Sequence, residues 1–589
     1  MRNITKEYRR TQGALARLIQ AFLRSLLCVL VATSPVLAAA SASSDTPASQ
    51  TELSQQGVSL KIDLINPTNG VASNIGDLIR DPAFAKQIDN LHMLKRGVWS
   101  TRGTGWAKHA ATQHNSGAVV LEVCPYLDSS NVSKLLFRCG GKYYDYAIST
   151  STATQIGTGF GATDIPCIKV FGRPTYLGPI NAFFADGVHE LQKWTGTGSM
   201  ATSSSFPGTV GGRTFTKPKF IEEFGTRMVL AGFNDYKNTV LISDTSSYES
   251  YASSTPPAAT DGGWLDVPNA LGPITAIKTV RISDSENVLL VGCENGVAMV
   301  SGSDASDFRI REVTREFGIP SNRTWVTIQN DTYFLSTDGI RRYTTNSIAG
   351  LLNSRKTYLI QDLVNRINKS SASKAFAFYH TATQEAQFWI PVDSDTTPKN
   401  AIVVNFNTAN PTAAGDEDTR PIFSTKSGIT IPCAYEGSGV AWAGTNNGYL
   451  MNLYSGDTYD NSAINWTFVT PMIGANSPAQ SMSMQKSVIM TDGGSQKFSC
   501  AAYTLTTMSD GTTKLLAQDS RDFNVTASSV TNLGTWAASS TTTTYPKLID
   551  FQSKGNGRFW CLKLFGDATD EHIDLSGVQA IMTVGGWRQ

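Results

Sequence analysis

Residues 64–108 read LINPTNGVASNIGDLIRDPAFAKQIDNLHMLKRGVWSTRGTGWAK, and the rest of the chain is read outward from them. A turn region carrying Asn66-Pro67 and Asn69-Gly70 comes first. Asp81 is a suitable helix cap, and Pro82 suits a first helical position, where its missing N–H costs nothing. Phe84, Ile88 and Leu91 follow at spacings of four and three, which predicts an amphipathic helix with one apolar stripe. The exit, Arg96-Gly97-Val98-Trp99-Ser100-Thr101-Arg102-Gly103, places arginine and glycine on both sides of a short strand. Phe84, Ile88, Leu91, Arg96 and Arg102 are therefore candidate interface residues of a docking segment.

From Gly117 onward the period changes to two, with Val119, Leu121 and Val123 alternating along a first strand. Leu135–Cys139 and Lys142–Tyr146 flank Gly140-Gly141, a two-residue hairpin turn. The same unit returns around Asp186-Gly187, Asn295-Gly296, Asp338-Gly339 and Asn447-Gly448. Repeated antiparallel hairpins must hide their edges, and radial closure does so economically. The expectation is a mainly β protein with a β-propeller-like body, an N-terminal helical segment and an additional C-terminal β module. A second helix is expected over Tyr358–Asn368, where Ile360, Leu363, Val364 and Ile367 share one face. Ile360, Leu363 and Ile367 would cap a core or face a neighbouring subunit.

A chain of 589 residues exceeds what one core supports, so several domains or a closed repeat are required. We divide it into a signal-like or flexible extension (1–57), an arm and helix (58–115), the propeller body (116–468) and a C-terminal β module or ring-closing blades (469–589). Charged residues make up 16% and the net charge is +1, which predicts no strong nucleic-acid footprint. Residues 1–40 hold six basic residues and one acidic one, so the balance without them is −4. A slightly acidic surface of that kind would let a duplex slide without sticking, and it is equally what an ordinary soluble surface shows. Arg9, Arg10, Arg17 and Arg24 precede the apolar run Leu26–Ala32 and then small residues at Ala38–Ala40. That pattern resembles a secretory signal peptide, with an amphipathic arm or a misassigned start as alternatives.

The pieces Asn66-Pro67…Gly70, Asp81-Pro82…Ala85, Asn90…Leu94…Gly97 and Arg102-Gly103 together resemble the N-terminal signature of tail nozzle proteins of short-tailed bacteriophages. These are also called head-completion or DNA-stabilisation proteins. Phe220–Gly232 is similar to that family's strand ending in an R-x-x-x-x-G segment. Phe317-Gly318-Ile319-Pro320-Ser321, followed by Tyr333-Phe334-Leu335-Ser336-Thr337-Asp338-Gly339-Ile340-Arg341, is the most specific match. The resemblance spans about residues 64–589, ending at Gly585-Gly586-Trp587-Arg588, and its departure is the N-terminal extension. It implies a structural virion protein assembled in the host cytoplasm. The subunits would form a homo-oligomeric ring, a hexamer in that family, below the portal and adaptor ring. Such a ring retains packaged DNA, forms the ejection channel and carries tail fibres or spikes, while DNA passes without sequence-specific binding.

The search for chemistry is mostly negative. There is no G-x-x-x-x-G-K-[ST], H-E-x-x-H or G-x-S-x-G in the chain. His189-Glu190 lacks a second histidine, and His109 and His114 are a weak metal pair. Eight cysteines occur without a C-x-x-C pair and read as small buried hydrophobes. Asp-Gly turns at Asp186, Asp261, Asp338, Asp492 and Asp510 faintly resemble the Asp-box of sialidase-type propellers, but the aromatic at fixed spacing is missing. No catalytic, metal or cofactor residues are assigned, and the expectation is not an enzyme. The alternative is an exported propeller that binds or hydrolyses polysaccharide.

Overall fold

In the computed structural model, residues 59–587 are described with interruptions, the longest at 74–83, 172–180, 344–359, 407–421 and 526–546. The signal-like segment, the capping pair Asp81-Pro82 and the Asp-Gly turns at 492 and 510 lie outside the described residues.

The chain is mainly β, and among the described residues its body is a β-propeller of seven blades. Blade one is built from Val120–Leu127, Ser133–Cys139, Lys142–Ala147 and Thr152–Thr158. Blades two, three and four begin at Cys167, Phe220 and Ile274, each with four antiparallel strands in chain order. Blade five contributes Val326–Ile328, Asp331–Ser336 and Gly339–Tyr343, and blade six runs from Phe376 to Lys426. Blade seven has three strands of its own, Cys433–Gly437, Val440–Gly444 and Leu450–Leu453. Its fourth is borrowed from the leader, where Trp106–Lys108 pairs with Leu453–Met451.

Apolar burial follows the same ring. Seven hydrophobic clusters each draw side chains from two adjacent blades, and the last joins blade seven to blade one through Cys433, Trp442, Val120 and Phe137. The strand faces are buried on both sides, so no blade is stable alone and the ring is one cooperative object.

The turn-based expectations hold where the chemistry is local. Gly140 adopts φ 53°, which the two-residue hairpin between Cys139 and Lys142 requires. Two expectations are corrected. Phe220–Gly232 is not one strand: Gly225 (φ 64°) folds it into Phe220–Phe224 and Arg227–Ala231, with Phe224 opposite Arg227. In the first strand a bulge between Val120 and Glu122 replaces simple alternation, so Val120 and Val123 point into one core.

Among its described residues the leader supplies five strands: β1 (Ser59–Ile65), β2 (Gln87–Asp89), β3 (His92–Lys95), β4 (Val98–Ser100) and β5 (Trp106–Lys108). The expected helix is contradicted over its described part, because Gln87–Asp89 is strand and Asn90 turns at φ 57°. β1, β3 and β4 join the sheet built on Asp574–Trp587 and Gln480–Thr491. β2 pairs with Trp466–Val469 in a second sheet that includes Phe559–Gly566 and Gln496–Thr507. The two sheets share one core containing Trp99, Trp466, Phe498, Trp560, Leu562 and Met582, together with leader residues Ile88 and Leu91. The second module is therefore a β-sandwich made from both ends of the chain.

β2 is also the seam with the propeller. Asp89 pairs in parallel with Thr425 on the outer strand of blade six. Asn90 donates to the Ser427 and Asn465 carbonyls at 3.0 and 2.6 Å, and Val71 N–H donates to Phe423 O at 2.8 Å. Gly70, at φ 73°, lies so close to Phe423 that a Cβ there would strike its carbonyl.

Candidate functional site: the axial channel

The first strands of six blades, with the segment before blade five, line a cavity of about 680 Å³. That segment crosses between the blades. Ser321 Oγ donates to the Ser373 and Ala375 carbonyls at 3.0 and 2.7 Å, fixing the segment to blade six. Asn322 Oδ1 accepts from Ile277 N–H of blade four at 2.8 Å, and its amide nitrogen lies 3.7 Å from Cys167 Sγ of blade two. Arg323 Nη1 reaches the Leu121 carbonyl (3.0 Å), the Glu122 carboxylate (3.2 Å) and the Pro432 carbonyl (3.3 Å). Its Nη2 reaches the Lys374 carbonyl at 2.6 Å. Three consecutive residues thus tie five other blades together across the axis. The planar five-donor guanidinium suits that task as an ammonium would not.

Farther along the same inner strands the lining changes. Glu222 of blade three receives Lys169 Nζ at 2.6 Å and Lys278 Nζ at 3.8 Å, while Tyr435 of blade seven is half-exposed. Burial works against ionisation of Glu222, but Lys278 and Lys169 prevail and hold its carboxyl below the usual range. At Glu122 burial prevails over Arg323 and pushes the carboxyl up. The Cys124 and Cys167 thiols are each pushed up to about 12, chiefly by burial, which keeps them protonated and poor nucleophiles.

The candidate interface residues do not converge here. Ile88 and Leu91 are fully buried in the sandwich core, and Phe84 is half-buried. Arg102 Nε donates to Asp574 Oδ2 at 2.9 Å, beside Ser100 Oγ on the other carboxylate oxygen at 2.6 Å. Ile360 is buried between blades five and six, with Leu363 and Ile367 partly buried against the same core. The second helix is confined to Gln361–Asn365, and residues 351–359 lie outside the described region. The apolar surface of Ile88, Leu91 and Ile360 is covered by this chain, which for Ile360 is the core-capping alternative. Arg96 is exposed on the β3–β4 turn.

His109 and His114 belong to one aromatic cluster, with both rings meeting Tyr146 at 5.7 and 5.8 Å. His109 Nδ1 lies 2.7 Å from Tyr146 Oη, and its ring meets Trp442 at 4.9 Å. The His114 ring packs on Phe137 at 5.0 Å. Burial lowers the pKa of His92, His109, His114 and His380 below 6.5. The unfolded chain then binds more protons than the folded one in mild acid. This stability is complete above the unfolded value and is lost as pH falls below it. The thermal midpoint is expected to drop between about pH 7.5 and 5.5, with a shallower drop in His114→Gln.

Lys169, Glu222, Lys278, Arg323 and Tyr435 escape sequence reasoning. The one available signal is Ile221-Glu222-Glu223-Phe224, where a carboxylate falls inside an apolar strand.

No family model matches the chain, and no curated protein matches it. Among solved structures, a chain from a crystal structure of the mitotic checkpoint complex is 8% identical, with a TM-score of 0.33. The match covers 59% of this chain and 92% of that one. A chain from a crystal structure of BBS1N in complex with ARL6DN is also 8% identical, with a TM-score of 0.34, covering 61% and 99%. At these scores neither carries an argument, and the blade count rests on the strand pairing and shared cores above.

Proposed function

We propose that the chain is a structural virion protein, a tail nozzle subunit of a short-tailed bacteriophage. In this reading copies form a ring below the portal and adaptor, retain packaged DNA, line its exit and carry fibres or spikes. The observation that supports it is where the resembling residues fall. Gly318 N–H donates to Thr337 Oγ1 (3.2 Å) and Thr337 N–H to Gly318 O (3.0 Å), while Arg341 lies 3.7 Å over the Phe317 ring and pairs with Asp338. The two halves of the most specific signature therefore clasp each other between blades four and five. Gly70, Asn90 and Arg102 of the leader signature clasp the sandwich and blade six in the same way. These described parts of the resemblance fall on joints between structural units, which supports the reading as a collar.

A cavity of about 680 Å³ suits a small molecule, not a duplex whose major groove alone is about 12 Å wide. In this proposal the DNA path lies between copies, outside the propeller axis. The test is mass spectrometry of purified virions, together with negative-stain imaging after coexpression with portal and adaptor proteins. A stoichiometry matching other ring components is expected. A chain absent from virions, and monomeric beside its partners, would overturn the proposal.

The clasp makes its own prediction. A Cβ on Gly318 would collide with the Glu294 carbonyl and lie 2.6 Å from Cys293 O, both backbone atoms that cannot swing aside. Gly318→Ala is expected to cost about 2–3 kcal/mol, read as a lowered denaturation midpoint.

A further inference from the structure

The axial cavity holds two lysine ammoniums at one level, and the nozzle reading gives them no role. Lys169 and Lys278 both face the Glu222 carboxylate, Glu223 also acts on Lys169, and the longer 3.8 Å contact leaves Lys278 the looser partner. Both lysines are partly open to the cavity, with side chains 28% and 29% exposed. Arg323 is engaged by Glu122 and three carbonyls, so Lys278 is the looser cation of this wall. Tyr435, 49% exposed, stands on the same wall, with Cys124, Lys169, Glu222 and Glu122 as its charged or ionisable neighbours. Asn322 offers an amide N–H whose acceptor is a thiol sulfur at 3.7 Å, a weak one.

We propose that this cavity binds an acidic monosaccharide unit, its carboxylate against Lys278 and Lys169 and its ring face on Tyr435. Lys278, held by Glu222 only at 3.8 Å, can turn to an incoming carboxylate, and confinement away from bulk water strengthens that attraction. A half-exposed aromatic beside it supplies the flat apolar surface that a pyranose face covers. A volume of about 680 Å³ accommodates one or two sugar units. Tyr435 and the segment Ser321-Asn322-Arg323 line the same cavity, and a terminal unit of a longer chain carries the same carboxylate and ring face as a free sugar.

The full chain is titrated with N-acetylneuraminate, galacturonate and, as the neutral counterpart, galactose, using calorimetry and saturation-transfer NMR. At least one acid is expected to bind saturably below about 10 mM, and galactose roughly tenfold or more weakly. Raising salt from about 50 to 500 mM should weaken the acid and leave galactose unchanged. Lys278→Met is expected to lose roughly tenfold in affinity, and Tyr435→Ala a similar factor, with thermal midpoints close to the parent. Adding an acidic oligosaccharide distinguishes the source: tighter binding than the monomer identifies a chain end, and equal binding a free sugar. Equal responses to acid and neutral sugar, or parent-like binding in both variants, would overturn the proposal. So would the absence of saturation by either acid. The experiment needs no ring, so its failure leaves the nozzle proposal standing, and the reverse holds too.

Discussion

Replacing Arg323 by Met is expected to destabilise the propeller by about 3–5 kcal/mol, the cost of breaking a buried ion pair by deleting one partner. The guanidinium holds the Glu122 carboxylate and the carbonyls of Leu121, Pro432 and Lys374, groups from blades one, seven and six. Without it Glu122 keeps its burial and loses the partner that offsets it. Chemical denaturation followed by tryptophan fluorescence gives the shift. The double variant Arg323→Met with Glu122→Gln is expected to recover a large part of the loss, because it removes the stranded charge. Equal losses in the single and double variants would mean that Arg323 acts through packing alone.

Ile88→Asp is the second large effect. Ile88 is fully buried in the sandwich core, and its carbonyl accepts from Thr425 Oγ1 at 3.0 Å. A carboxylate placed there has no cationic partner, and a loss above about 4 kcal/mol is expected. The half-buried Phe84 gives a contrast, with Phe84→Asp expected to cost about 1 kcal/mol. Soluble yield and thermal unfolding read both. A helical stripe would make the two substitutions equivalent, whereas a strand seam separates them. Limited proteolysis of Ile88→Asp should cut first near residues 87–95, because β2 is the joint between sandwich and blade six.

These two residues also mark how far the sequence could be read. Hairpins at Gly140-Gly141, Asn295-Gly296, Asp338-Gly339 and Asn447-Gly448 were legible because a tight turn depends on a few adjacent residues, whereas after Asp186-Gly187 the return strand is shortened to Gln192–Trp194. The leader helix misled because spacings of four and three also arise when a strand is followed by a reversal of backbone. Asn90 at φ 57° shifts the phase after Ile88, and Leu91 returns to the same core. The blade count was hidden because Trp106–Lys108 completes a sheet whose other strands begin at residue 433. Arg323 carried no local signal at all, since its partners at 121, 122, 374 and 432 are neighbours only after ring closure. Turn chemistry travels along the chain, and axial chemistry travels across it.

The borrowed strand in blade seven sets a timetable for biosynthesis. A ribosome delivers Trp106–Lys108 early, yet their partners at Met451–Leu453 emerge only near the end of the propeller. β1 waits longer still, because its partners Val578–Val584 are made after the whole propeller. Until then the leader presents unpaired strand edges, which invite pairing with another nascent chain. Chaperones, or slow decoding before residue 453, would then govern how much of this protein reaches its finished shape.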